Sequence, residues 1–99
     1  MEIRIVGSHE LVVSGTIKTI NDSISVREAL QKLHDDGATV ITLRIEDSFA
    51  LPSAVIGYLM KLVNREKVKL TLLAGDKRLC ELLEELQLTD LFGVSCTAC

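Results

Sequence analysis

The chain has 99 residues with a formal net charge of −3, and 47% of its residues are hydrophobic while 3% are aromatic. This length and apolar content predict one folded domain with an aliphatic core. Scarce aromatic side chains and thinly spread Lys and Arg residues argue against a nucleic-acid partner. No apolar run approaches a membrane span and the N-terminus does not read as a signal peptide, so we expect a cytoplasmic protein without membrane insertion.

The first half of the chain predicts a β-hairpin, a helix and a central strand. Residues 2–6 (EIRIV) alternate polar and apolar, and residues 10–15 (ELVVSG) follow a short turn. The segment SVRE, residues 25–28, fits a capping box, so we expect the first helix to start there. Asp36-Gly37 should end that helix. Residues 39–45 (TVITLRI) are rich in β-branched side chains and predict a strand covered by helices.

The second half of the chain predicts two further helices and two further strands. The second helix starts near Pro52-Ser53, and its predicted inner face consists of Val55, Ile56, Leu59, Met60, Leu62 and Val63. Residues 68–73 (VKLTLL) predict a strand, and Asp76 is the expected N-cap of the third helix. The predicted apolar stripe of that helix consists of Leu79, Leu82, Leu83 and Leu86. Residues 88–95 close the domain, with an optional short edge strand.

This order of elements predicts an α/β fold. Strands that alternate with helices form parallel pairs through right-handed crossovers, while the initial hairpin adds an antiparallel pair. We therefore expect a mixed sheet of four to five strands, with three to four helices packed mainly on one face. The predicted domain spans residues 1–95, followed by a C-terminal tail, residues 96–99.

The three cysteines predict neither a disulfide framework nor a metal site. Cys80, Cys96 and Cys99 occur without a predicted secretion signal, and one C-x-x-C pair is too few for structural zinc. Cys96 to Cys99 also formally resembles a prenylation box, but its middle residues match poorly. We expect these four residues to form a solvated tail.

No set of residues predicts catalysis, and we expect a protein that is not an enzyme and has no metal or cofactor. His9 lies in a predicted turn, and His34 lies at a helix C-terminus that favours it without any catalytic role. Glu46 and Asp47 follow the central strand, where α/β proteins often place their sites. They would suit a cation or a general base, or be simply solvated.

Ser53 has two interpretations. Its hydroxyl would cap the second helix, a role worth about 1 kcal/mol. Alternatively, it is a phosphorylation site, because free amides at a helix start tolerate a phosphate. That phosphate adds about −1.5 to −2 charge. A docked partner that loses about 3 kcal/mol to this charge binds about a hundredfold more weakly.

Several segments together resemble the STAS domain family of anti-sigma factor antagonists. They are VVSG (12–15), VREAL (26–30), SAVIGYLMKL (53–62) and KLTLLAGDKRLCELLEELQLTDLF (69–92). The resemblance covers nearly the whole chain and implies a STAS-like fold and a bacterial phosphoprotein that works by partner switching. Its partners would be a serine kinase or anti-sigma-like regulator, which binds the unphosphorylated form, and a PP2C-type phosphatase. A weak homodimer is left open.

By this resemblance Ser53 is the phosphorylated serine, with Ser48 as the alternative in the preceding loop. The implied partner-binding surface consists of Lys18, Glu46, Asp47, Pro52, Ser53, Ala54 and Gly57. The chain departs from the family where Pro52 replaces an Asp, Val55 a Gly and Arg44 another Asp, and Lys18 stands where the family often has an Asp. The alternative function is therefore a constitutive STAS docking subunit of a transport or stressosome-like assembly, without a phosphorylation switch.

Overall fold

Five strands form one mixed sheet, and three helices pack against it, in the computed structural model, which describes residues 1–97. The elements are β1 (Glu2–Val6), β2 (Glu10–Ser14), α1 (Ile20–Asp35), β3 (Val40–Ile45), α2 (Ser53–Asn64), β4 (Lys69–Ala74), α3 (Lys77–Glu85) and β5 (Val94–Cys96). The predicted α/β class, the order of elements and the short final strand are confirmed.

The strands lie in sequence order across the sheet. β1 and β2 pair antiparallel, as the hairpin prediction requires, and the pairs β2–β3, β3–β4 and β4–β5 are parallel. Each parallel pair is joined by one helix. Right-handed crossovers that all step in the same direction place their helices on the same face of the sheet.

Burial along the strands agrees with helices on one face. The covered face carries fully or nearly fully buried aliphatic residues from β2, β3 and β4: Leu11, Val13, Ile41, Leu43, Ile45, Leu70, Leu72 and Ala74. Of the intervening residues, Thr42, Arg44, Thr71 and Leu73 are only half-buried, whereas Val12 of β2 is buried; we call this side the open face. On this face the Nε atom of Arg44 lies 3.5 Å from the carboxylate of Glu10.

No helix within residues 1–97 combines the length and the apolar character needed to cross a membrane.

Helix α1 begins five residues before the predicted capping box. Thr19 is the N-cap: its hydroxyl accepts a hydrogen bond from the backbone N–H of Asp22, and the Asp22 side chain bonds back to the Thr19 N–H. The expectation of a start at Ser25 is therefore wrong, because Thr19-x-x-Asp22 forms the same reciprocal cap one and a half turns earlier. Gly37 follows the helix at φ 101°, as predicted for its end.

Two residues of the predicted apolar stripes lie outside the core. Met60 of α2 and Leu86, which follows α3 as its C-cap, are both exposed. The other predicted stripe residues pack in the core, and Ile56, Val63 and Leu82 do so while only partly buried. The buried residues of α2 are Val55, Leu59 and Leu62, and those of α3 are Leu79, Cys80 and Leu83.

The structure contradicts the expectation that Cys96 belongs to a solvated tail. Cys96 is the last residue of β5, and its sulfur forms a disulfide with Cys80 of α3, with the two Cα atoms 5.9 Å apart. Strand β5 pairs with β4 through three residues only. The disulfide therefore fastens a short edge strand to the buried side of α3. Cys99, the other end of the C-x-x-C pair, lies outside the described residues.

We predict that Cys96→Ser lowers the free energy of unfolding by about 3 kcal/mol under oxidising conditions. The cysteines are 16 residues apart, and closing a loop of about this length removes about that much chain entropy from the unfolded state. Urea unfolding of the wild type and the variant, with and without dithiothreitol, measures the difference, with Cys99→Ser as control. The prediction would be contradicted if the wild type had the same free energy of unfolding with and without dithiothreitol.

Candidate functional site

Three consecutive side chains after β3 hold the end of β2 and the segment that follows it. The hydroxyl of Ser14 donates to the Glu46 carboxylate at 2.7 Å, and the backbone N–H of Gly15 donates to Asp47 at 3.2 Å. The third bond runs from the backbone N–H of Ile17 to the Ser48 hydroxyl at 3.2 Å. We call these three bonds the loop ladder. Glu46 and Asp47 are therefore not merely solvated, since each binds the neighbouring segment.

Ser48 is a buried component of this ladder. Its side chain is 0% exposed, and its hydroxyl also donates to the carbonyl of Ala50 at 2.7 Å. Both hydrogen-bonding roles of the hydroxyl are thus used inside the protein. A phosphate there would require the loop to open, so its burial weighs against the alternative phosphorylation site.

Ser53 is exposed and is the first residue of α2. Pro52 occupies the N-cap position, and no side chain caps the helix. The Pro52 carbonyl accepts from the N–H groups of Val55 and Ile56 at 2.9 and 3.0 Å. The interpretation of Ser53 as the helix cap is therefore wrong. Proline suits this position because its φ of −59° and missing N–H cost nothing where the chain enters the helix.

A groove of about 420 Å³ lies between the starts of α1 and α2. We call it the α1–α2 groove; its lining residues are Lys18, Thr19, Ile20, Ser23, Ile24, Arg27, Pro52, Ser53 and Ala54. Four predicted site residues thus come together: Lys18, Pro52, Ser53 and Ala54. Gly57 is exposed one turn further along α2. Glu46 and Asp47 are not in the lining.

The charged side chains that line the groove are both cationic. Lys18 and Arg27 belong to the lining, and Arg27 carries no signal that distinguished it in the sequence. The Asp22 carboxylate instead accepts from the backbone N–H groups of Lys18 and Thr19 at 3.0 and 3.2 Å. These backbone hydrogen bonds hold the pKa of Asp22 below its usual value of 3.8. The groove also presents Ile20, which is 80% exposed.

A larger depression, of about 680 Å³, lies at the opposite end of the sheet. It is formed mainly by the turn between β1 and β2 and the connection from α1 to β3, and its lining includes His9 and Asp36. It contains none of the predicted site residues. Size alone therefore does not select the site, and we consider the α1–α2 groove because four of the predicted site residues line it.

Within residues 1–97, no group of three or more His, Cys, Asp or Glu side chains comes together in a way that could hold a metal ion. No protein-family model, curated protein or solved structure matches this chain. The interpretation of the site therefore depends on the sequence resemblance together with the site's own geometry and charge.

We predict that Ser48→Ala destabilises the protein by about 1–3 kcal/mol, because the buried N–H of Ile17 loses its acceptor. Ser53→Ala is the matched control and should change the free energy of unfolding by less than about 0.5 kcal/mol, since Ser53 is exposed and caps nothing. Urea denaturation measures both. Equal losses of unfolding free energy in the two variants would contradict the assignment of Ser48 as a buried hydrogen-bonding residue and of Ser53 as an exposed one.

We predict that Asp22 contributes stability that depends on pH. Its pKa is lowered in the folded protein, so the contribution is present above the unfolded value of 3.8 and is lost as the pH falls through the folded pKa. Asp22→Asn should therefore lose less stability than the wild type as the pH falls below about 4. The melting temperatures of the two proteins, measured across this pH range, test the difference. Melting temperatures that fall in parallel as the pH falls would refute the prediction.

Proposed function

We propose that this chain is a non-enzymatic regulatory protein of the anti-sigma factor antagonist type, with a STAS-like fold. In its unphosphorylated form it binds a serine kinase or anti-sigma-like regulator through the α1–α2 groove, and phosphorylation of Ser53 ends the binding. One observation carries the proposal: Ser53 is an exposed hydroxyl in the lining of a groove that is apolar and cationic.

The unmodified groove suits a partner with an apolar segment and nearby acidic side chains. Ile20 and Ala54 offer exposed apolar contact, and Lys18 and Arg27 offer positive charge. Complementary charges raise association rates and fix the register of docking, while the apolar contact supplies most of the affinity. The partner would thus recognise both the apolar contact and the positive charge of the groove.

A phosphate on Ser53 would change both properties at once. It would add a charge of about −1.5 to −2 beside the free N–H groups at the start of α2. Lys18 and Arg27 line the same groove, so their charges would be drawn to the phosphate. An acidic partner would then meet a groove whose two positive charges are largely neutralised, together with a strongly hydrated group. The switch would act on association, while the fold would remain intact.

A second candidate function is a constitutive docking subunit of a transport or stressosome-like assembly. The observation that favours it is Pro52, which stands where the family carries an acidic residue and occupies the N-cap of α2. A kinase that reads an acidic residue at that position would lose its contact. In this case the groove would still bind a partner, but without regulation by a phosphate.

We predict that a cognate serine kinase with ATP adds one phosphate, and that peptide mass spectrometry places it on Ser53 and not on Ser48. The reason is access, because Ser53 is exposed while Ser48 is 0% exposed. A PP2C-type phosphatase should remove it. A chain that the kinase binds but never modifies would support the constitutive docking subunit instead.

The same kinase provides a binding test. Ser53→Ala should bind it as tightly as the unmodified protein, and Ser53→Asp about a hundredfold more weakly, a loss of about 3 kcal/mol. Ser8→Asp is the matched control, because Ser8 is an exposed serine in the turn at the other end of the sheet. Calorimetry that finds equal affinities for the three variants would rule out a switch at the groove.

A further inference from the structure

Strand β1 is an open edge of the sheet. It lies outermost in the strand order and is paired on one side, with β2. Apolar side chains along this edge are accessible, since Met1, just before β1, is 43% exposed and Ile5 is 41% exposed. An exposed edge that carries apolar side chains is a template for pairing with another strand.

We propose that β1 pairs antiparallel with β1 of a second copy of this chain, around a two-fold axis that passes through Ile3. In this register Ile3 lies opposite Ile3 of the second copy, and Glu2 lies opposite its Arg4. The two-fold symmetry repeats the Glu2–Arg4 pair on the other side of the axis. The two sheets would join into one continuous sheet of ten strands.

The pattern of faces restricts the registers that β1 can adopt. Ile3 and Ile5 lie opposite Val13 and Leu11 of β2, so they belong to the covered face, while Glu2 and Arg4 belong to the open face. Directly paired residues share a face, and a slip by one residue would set covered face against open face. Only registers centred on one residue therefore keep the covered faces of both copies on the same side.

Charge selects one register from these. Centring the pair on Glu2 or on Arg4 would set like charges opposite each other, which destabilises a sheet. Centring it on Ile5 would leave Glu2 and Arg4 without opposite charges across the seam. Centring it on Ile3 places an acid opposite a base twice. The sequence of β1 is thus self-complementary in that register, which argues for a second copy as the occupant of this edge.

The seam involves only a few residues on each side, so the dimer should be weak and depend on concentration. None of the residues that line the α1–α2 groove belongs to β1. Evidence against the dimer would therefore not count against the proposed switch at Ser53, and evidence against the switch would not count against the dimer.

Charge reversal across the seam tests the proposal. Glu2→Arg and Arg4→Glu should each raise the dimer dissociation constant by about tenfold or more, because each sets like charges opposite each other twice. An equimolar mixture of the two single variants should associate, since opposite charges then face each other at both pairs. The double variant E2R/R4E should form homodimers for the same reason. Sedimentation velocity over a range of concentrations measures all four samples and the wild type.

Three results would overturn the proposal. The first is a wild type that stays monomeric up to its solubility limit, and the second is a dimer dissociation constant that is the same in the single variants as in the wild type. The third is an equimolar mixture of the single variants that associates no more tightly than each variant does alone. Thermal unfolding of each variant controls for folding, and Glu2 and Arg4 are both exposed in the monomer. Added salt should weaken the wild-type dimer because the charge pairs lie at the surface.

Discussion

The loop ladder is the constraint on which the rest of the site depends. The side chains of Glu46, Asp47 and Ser48 bind the last residue of β2, Ser14, and the following segment at Gly15 and Ile17. That segment leads through Lys18 directly into the cap of α1. Because the ladder fixes where the segment leaves the sheet, it also fixes where α1 begins. One wall of the α1–α2 groove is therefore positioned by a loop that does not line it.

The two neighbouring serines have separate physical roles. The Ser48 hydroxyl makes two hydrogen bonds inside the protein and is buried. Ser53, in contrast, is exposed in a groove that is also lined by the cationic side chains of Lys18 and Arg27. The resemblance favoured Ser53 over Ser48, but the sequence could not predict that Ser48 is buried. The difference arises from burial, which depends on how the loop folds back onto the segment after β2. That contact joins residues 31 positions apart in the chain.

Periodicity predicted most of the fold, since the three helices and the strands β3 and β4 each bury one side and their sequences carry that period. It failed where local patterns competed. Thr19–Asp22 and Ser25–Glu28 both fit a capping box, and only the anchored loop before α1 selects the first. The disulfide was missed for a related reason, because Cys80 and Cys96 meet only once β5 is added beside β4. Arg27 was missed because a lone arginine within a helix resembles ordinary solvated surface.

The open face of the sheet has a consequence for how this protein can change over time. On one side of β2, β3 and β4, aliphatic residues are fully or nearly fully buried, while Thr42, Arg44 and Thr71 on the other side are only half-buried. Substitutions on the buried side create cavities or clashes, whereas polar exchanges on the other side meet mostly solvent. Mutational tolerance should alternate along β3 and β4, where burial alternates, but not along β2, where Val12 on the open face is also buried. Sequence drift can therefore remodel the open face of β3 and β4 while the helices and the groove keep their positions.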